Sequence, residues 1–282
     1  MNTNYFCFRN NQLYNVFDKI SILKKKDMKK FSFVFDNSNK ARYLKKIISK
    51  KYKNFSIKKS DVIVVAGGDG FMLKTIKKLY EYNKPFYGVN CGSVGFLLNK
   101  FTSQRIIERI NKAKPTMIYP LQIKAISKAK KINSLLAINE LSILRQSKQA
   151  SLIQIKINQK ILIKKLIGDG ILLSTPAGST AYNLSVNGPI LLLNSKKLAI
   201  TPISPFRPRR WKGKVVTDRA QIFIKNLDPK KRPIAAVADN NEIRNIVSIS
   251  ASVNKKIKFK LLFNTGESLL KKIKSEQKRK IN

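Results

Sequence analysis

Ten of the twelve glycines in this 282-residue chain fall in two short windows, 67–95 and 168–188. Glycine is used where a left-handed backbone or a close approach leaves no room for a Cβ, so the fold must do something particular at these two places. The first window opens with the apolar run Asp61 to Ala66 (DVIVVA), continues through Gly67-Gly68-Asp69-Gly70, and passes into a helical pattern from about Phe71 to Tyr80. A short, fully apolar run followed by a glycine turn and a helix reads as a buried strand of a parallel sheet. Its surroundings agree. A strand-like FSFVF at 31–35 and a helix from about Ala41 to Tyr52, with Leu44, Ile47 and Ile48 on one face, precede it; a strand near Phe86 to Val89 and a helix near Ser103 to Ala113 follow. Strand, helix and strand in alternation predict an α/β, Rossmann-like domain.

Pro115 and Pro120 mark a change of pattern. Beyond them the chain reads as short strands near 121–126, 134–138, 152–157, 161–165, 170–174, 220–224, 234–237 and 243–250, with a hairpin turn at Asn158-Gln159. Many short strands with few helices predict an all-β, sandwich-like second domain. The expected division is an N-terminal extension over 1–28, an α/β nucleotide-binding domain over 29–118 and the β-sandwich over 119–262. A C-terminal helix, Glu267 to Lys274, and a basic tail fill 263–282 and pack back on the first domain.

Composition removes whole classes of chemistry. The chain has no histidine, which excludes Ser-His-Asp and Cys-His nucleophiles, His-ligated zinc and histidine acid/base work. Two cysteines, Cys7 and Cys91, supply neither a disulfide framework nor a four-ligand metal site. No apolar run reaches the roughly 18 residues of a membrane span, and the polar start (Asn2, Thr3, Asn4, Arg9) has no signal-peptide core, so the expectation is cytoplasmic with no membrane partner. The charge is +43, from 58 basic and 15 acidic residues. The basic residues are mostly lysines spread along the whole chain, so they read as a solvated basic surface that favours anionic ligands and not as a dedicated nucleic-acid site.

On so basic a chain, Asp69 and Asp169 inside the glycine windows stand out. Glycine amides at a strand-to-helix turn suit phosphate. A carboxylate beside them repels phosphate, so Asp69 makes sense as a helix cap, a magnesium partner or a base taking a proton from a hydroxyl. No Gly-Lys-Ser/Thr follows, so this is not a Walker A loop. The second window, GDGILLSTPAGSTAYNLSVNGPI, predicts a strand ending at Thr175-Pro176 and a short helix opened by Gly178-Ser179-Thr180, where free amides and two hydroxyls converge. Tyr182 and Ser185, three apart, fall on one side of that helix. An ordinary Ser/Thr-capped helix is the plainer reading of this segment.

These residues together resemble the NAD kinase family, which phosphorylates NAD to NADP. The matches are GGDG at 67–70, Asn90-Cys91-Gly92-Ser93-Val94-Gly95-Phe96-Leu97, the Asn139-Glu140 pair in LAINELSILR, the TPAGSTAYNLSVNGPI block, Thr201-Pro202-Ile203 with Phe206-Arg207-Pro208, and VADNNE with Asp239. They run in order from about 29 to 250, and the TPISPFRPRRW form is most similar to compact alphaproteobacterial members. The resemblance implies a nucleotide between the two domains, with Asp69 as general base toward the 2′-hydroxyl of the adenosine ribose and the amides of Gly67, Gly68 and Gly70 on phosphates. It implies NAD contacts from Asn139 and Glu140, from Asp169 and Ala177 near the nicotinamide, from Thr180, Ala181, Tyr182, Asn183, Leu184 and Ser185 along the dinucleotide, and from the Asn241 amide. ATP as donor, Mg²⁺ or another divalent metal with no dedicated protein ligand set, and a homodimer or homotetramer complete the expectation. Three departures bear on it: Cys91 stands where the family often has arginine, Val186-Asn187-Gly188 replaces the commoner Ala-Gly-Gly, and Asn240-Asn241 replaces Asp-Gly or Ser-Gln patterns after Asp239. GGDG alone also fits diacylglycerol- and sphingosine-type lipid kinases, and the Phe206–Trp211 cluster with the lysine-rich tail suits a nucleic-acid-binding protein; both remain as alternatives.

Overall fold

The computed structural model describes residues 29–93, 95–266 and 272. The expected extension over 1–28 and all but one residue of the expected C-terminal helix lie outside them. The first unit runs β1 (Phe31–Phe35), α1 (Asn39–Lys51), β2 (Val62–Gly67), α2 (Asp69–Leu79), β3 (Phe86–Asn90), α3 (Ile106–Lys112) and β4 (Lys114–Ile118). Strands β1, β2 and β3 are parallel neighbours, so the glycine turn after β2 sits at the carboxyl edge of the sheet. That edge is where open α/β sheets hold ligands.

Strand β2 is buried along its whole length because both of its faces are covered. Val62, Val64 and Ala66 face one layer with Leu44 and Ile48 of α1 and Ile106 and Ile110 of α3. Ile63 and Val65 face the other, with Met72, Leu73 and Ile76 of α2. Period-2 alternation between two apolar layers explains why the sequence there is uniformly apolar. Helix α1 begins at Ser38, whose hydroxyl accepts from the Ala41 amide at 3.3 Å.

The second unit is β5 (Leu121–Ser127), β6 (Ile132–Ala137), β7 (Glu140–Arg145), β8 (Ser151–Ile157), β9 (Lys160–Gly168), β10 (Gly170–Ser174), a 3₁₀ turn (Gly178–Thr180) with the short α4 (Tyr182–Ser185), β11 (Lys197–Ile203), β12 (Lys214–Thr217), β13 (Ile222–Asn226), β14 (Ile234–Ala238), β15 (Asn241–Ile243) and β16 (Ile246–Val253). They form two six-stranded antiparallel sheets, ordered β12-β11-β10-β7-β14-β15 and β6-β5-β16-β13-β8-β9. Ile123 and Ile155 from one sheet meet Ile143 and Leu173 from the other in a shared core, which makes this a β-sandwich. The α/β-plus-sandwich class expected from the sequence is therefore the one observed. Asn158 and Gln159 turn the β8–β9 hairpin with φ of 47° and 68°, as a two-residue loop of this kind requires.

A last strand, β17 (Phe259–Phe263), returns to the first sheet and lies between β3 and β4. It was not foreseen. Pro115, read as a boundary, lies inside β4, where the strand is at the sheet edge and one side needs no ladder donor. Asn99, fully buried, ties the return together: its amide nitrogen donates to Gly88 O and Leu262 O, and its oxygen accepts from the Asn264 amide.

Candidate functional site

Gly67 ends β2 and Gly68 precedes α2, whose first residue is Asp69. A Cβ on Gly67 would lie 2.7 Å from Phe71 Cδ1 and 2.8 Å from Asp36 Oδ2, so packing excludes it. Cβ atoms on Gly68 and Gly70 would meet nothing within 4 Å. These two glycines leave open space in front of the first turn of α2, where unpaired amides collect. The Cys91 amide donates to Gly67 O at 2.9 Å and seats the 90–99 loop beside this turn. Cys91 itself is buried among apolar residues, and burial pushes its thiol up to about 11, so it is a packing residue and no nucleophile.

Asp69 does not cap its own helix. Its Oδ2 accepts from the Phe96 amide at 2.8 Å and its Oδ1 from the Leu97 amide at 3.0 Å. Lys272 braces the same loop, donating from Nζ to Phe96 O and Leu98 O. Burial raises the Asp69 pKa above the ordinary carboxylate value; the two amides and the Lys272 charge oppose that rise without cancelling it. Each oxygen carries one amide hydrogen bond and keeps a lone pair. The group is therefore a fixed carboxylate whose basicity is higher than that of a solvated aspartate.

The second component is the break between β6 and β7. Asp239, in a left-handed conformation (φ 54°) that aspartate tolerates, turns its carboxylate onto three consecutive backbone amides. Ile138 N and Asn139 N donate at 2.8 Å and Glu140 N at 3.3 Å, while Lys77 Nζ of α2 lies 2.7 Å from Asp239 Oδ2. Asn139 Oδ1 and Glu140 Oε2 are buried with no hydrogen-bond partner among the described residues. An unmet buried acceptor costs about 1–3 kcal/mol, which a ligand hydroxyl or amide would recover. Burial, and then the neighbouring Asp239 charge, lifts Glu140 from its ordinary 4.5 to about 7.

The TPAGST segment locks against this break. The Thr175 amide donates to Asn139 O at 2.9 Å and its hydroxyl to Ile138 O at 2.6 Å. The expected short helix is α4, but Gly178–Thr180 ahead of it form a 3₁₀ turn, and of the two hydroxyls expected there that of Ser179 is used internally. It donates to Pro176 O at 2.8 Å and accepts from the Leu191 amide at 3.0 Å. Asn183 is fully buried, and both ends of its amide are engaged, with Ser179 O, Pro189 O and the Thr201 hydroxyl. Ala177 is buried with Met72, Leu73, Leu97 and Ile138 in the layer that joins the two units. Thr180 is buried at the same turn, Ala181 and Leu184 are half-buried, and Tyr182 and Ser185 are both exposed.

The structure locks the Asn139-Glu140 edge onto the TPAGST turn and joins both to helix α2 through the apolar cluster of Ile138, Ala177, Met72 and Leu73. Asp169 is not there. It sits just before the opposite end of β10, about 17 Å along the strand from Ser174 at 3.3 Å per residue, in an exposed pair with Arg145 Nε at 2.6 Å. Asn241 is exposed at the start of β15 and lines a shallow cleft with Lys77, Tyr80 and Ile138. Among the described residues no three Asp, Glu or Cys side chains group as metal ligands, and Asp69 and Asp36 both bring a carboxylate to the glycine turn. The residue that sequence reasoning missed is Lys77, one lysine in a lysine-rich chain, whose significance exists only through Asp239.

Two family models match the chain: the ATP-NAD kinase N-terminal domain over residues 9–113 and the ATP-NAD kinase C-terminal domain over 138–258. The NAD kinase of Zymomonas mobilis is 42% identical over 242 residues, spanning 84% of this chain and 93% of its own. The NAD kinase of Caulobacter vibrioides is 40% identical over 248 residues, 88% of this chain and 95% of its own. Among solved structures, yeast NADH kinase complexed with NADH superposes with a TM-score of 0.72 at 18% identity, covering 91% of this chain and 90% of that one. An Archaeoglobus fulgidus NAD kinase in complex with ATP gives a TM-score of 0.68 at 21% identity, covering 87% and 99%.

Proposed function

The chain belongs to the NAD kinase family, and we propose that Asp69 is the base of its reaction, the ATP-dependent phosphorylation of NAD to NADP. One observation supports the assignment above the others. Asp69 is a half-buried carboxylate with raised pKa, held by the Phe96 and Leu97 amides at an open glycine turn.

In the reading favoured here, the Asn139-Glu140 edge holds the adenosine half of NAD, with Glu140 Oε2 and Asn139 Oδ1 accepting from its polar hydrogens. The 2′-hydroxyl passes its proton to Asp69, the ribose oxygen forms a bond to the γ-phosphorus of ATP, and the bond from that phosphorus to the β,γ-bridging oxygen breaks to release ADP. Amides of the Gly68–Gly70 turn face the phosphates and stabilise the charge that moves onto them. The divalent metal, when bound, neutralises phosphate charge. The donor set fits an ion that enters on the ATP phosphates with Asp69 as the nearby carboxylate, because Mg²⁺ keeps most of its waters and needs only one or two protein carboxylates. Ala177, Asn183 and Ser179 act by shaping the turn, and Tyr182 and Ser185 are the side chains of this block free to meet the dinucleotide.

The direct test is NADP formation from NAD, ATP and Mg²⁺ by purified protein, read through an NADP-specific dehydrogenase. No NADP from folded protein would sink the reading and turn attention to lipid hydroxyls. Tyr182→Ala is expected to raise the KM for NAD roughly 2- to 10-fold with kcat little changed, the size of one lost aromatic contact. An unchanged KM would remove Tyr182 from the site.

Glu140 adds a prediction about pH. Its folded pKa of about 7 lies above the ordinary 4.5, so the neutral form stabilises the fold; that contribution is complete below about 4.5 and is lost as pH rises through 7. Glu140→Gln, which keeps the shape and never ionises, should therefore be more stable than wild type at pH 8 by about 1–3 kcal/mol. The gap should close toward pH 5. Denaturant titrations at the two pH values check this, and equal gaps would refute it.

We also infer a cytoplasmic homodimer or homotetramer. Among the described residues no helix is long and apolar enough to cross a membrane. Light scattering measures the assembly.

A further inference from the structure

We propose that the Lys77–Asp239 ion pair is a positioning strut that fixes the Asn139-Glu140 edge relative to the helix carrying Asp69. The proposal rests on reading these residues as the NAD-phosphorylating site. Helix α2 starts at Asp69, and Lys77 lies eight residues on, about 12 Å along the axis at 1.5 Å per residue. Its ammonium reaches Asp239 Oδ2 at 2.7 Å; the Asp239 side chain is 2% exposed and that of Lys77 26%.

The other hydrogen bonds of that carboxylate go to the amides of Ile138, Asn139 and Glu140. One buried carboxylate thus joins the helix that presents the base to the three-residue break that presents the two unmet acceptors. Apolar contacts of Ile138 and Ala177 with Met72, Leu73 and Leu97 also join these parts. Apolar contacts hold a separation but are indifferent to small sliding. A charge-assisted hydrogen bond to a dry carboxylate fixes distance and direction. Displacements near 1 Å at a reacting centre can lower the rate about 10²-fold, so the pair acts on turnover more than on affinity.

The test compares Lys77→Gln and Lys77→Arg with wild type, measuring kcat, the KM values for NAD and ATP, and the thermal midpoint. Lys77→Gln keeps a similar stem and removes the charge, and the partial exposure of Lys77 lets water reach the abandoned carboxylate. The expected result is folded protein whose kcat is down roughly tenfold or more, with the KM for ATP unchanged and the KM for NAD moved less than kcat. Lys77→Arg, which restores a cation, should recover most of kcat. A purely structural pair would lower the midpoint while leaving kcat per folded molecule intact, and that outcome would overturn the proposal. So would wild-type turnover in Lys77→Gln, or a Lys77→Gln chain that fails to fold while Lys77→Arg folds. Wild type that makes no NADP would instead refute the functional reading on which the strut depends.

Discussion

Asp69→Asn should lower kcat for NAD phosphorylation by about 10² to 10⁴, the range that a positioned base contributes. The fold should survive, because opposing effects meet at this site. Asparagine keeps one acceptor for the Phe96 or Leu97 amide but turns an NH₂ toward the other, and an unmet buried donor costs about 1–3 kcal/mol. Against this, burial disfavours the ionised carboxylate, as its raised pKa records, and the neutral amide removes that penalty. NAD affinity should change little, since in the reading above the nucleoside is gripped by Asn139 and Glu140. Wild-type turnover should also fall as pH drops through the raised pKa of Asp69, because only the ionised form accepts a proton. Steady-state rates from pH 5 to 9, with circular dichroism and NAD binding on both proteins, make the test. A variant with wild-type turnover would take Asp69 out of the mechanism.

Strand β2 and the GGDG turn were legible in the sequence because one physical demand writes them both. A strand covered on two faces must be apolar at every position, and the turn that leaves it needs glycine where Phe71 and Asp36 crowd Gly67. Strand β11 was not legible, since Pro202 argues against an interior strand. It is tolerated because β12 pairs only with Lys197–Ile200, so Thr201–Ile203 have a neighbour on one side alone. Nor could β17 be placed: nothing local in FKLLF says that it returns past the whole sandwich to pair with β3 and β4. In the site, the TPAGSTAYNLS block was recognised as special but not sorted. Hydroxyl and amide side chains that hold a turn and those that hold a ligand are the same residue types, and only the partners of Ser179 and Asn183 reveal which they are. The Lys77–Asp239 pair is wholly tertiary, its members 162 positions apart in sequence.

Gly178→Ala is expected to destabilise the protein by about 3 kcal/mol or more and to abolish most NAD turnover with it, a size reached when a substitution overpacks a site that cannot yield. An added Cβ would stand 2.3 Å from Asn139 O, 2.4 Å from its carbonyl carbon and 2.7 Å from its Cα. These are backbone atoms, and no rotamer change relieves them. The Asn139 carbonyl cannot retreat, because it accepts from the Thr175 amide, while the Asn139 amide is held by Asp239. The strain would therefore spread into both the Asn139-Glu140 edge and the TPAGST turn. Its backbone is not left-handed, so close approach alone requires glycine here. Gly70→Ala makes the matched comparison. Its Cβ meets nothing within 4 Å and lies in the first turn of α2, where alanine is the better helix former by up to about 1 kcal/mol. That variant should fold as well as wild type or better, yet show a raised KM for ATP, because its methyl group occupies space in front of the proposed phosphate amides. Urea titration separates the two variants by stability, and ATP kinetics on Gly70→Ala isolates the ligand effect. A Gly178→Ala protein with the wild-type midpoint would mean that the turn can move away from Asn139, and the rigid edge on which the site is built would have to be given up.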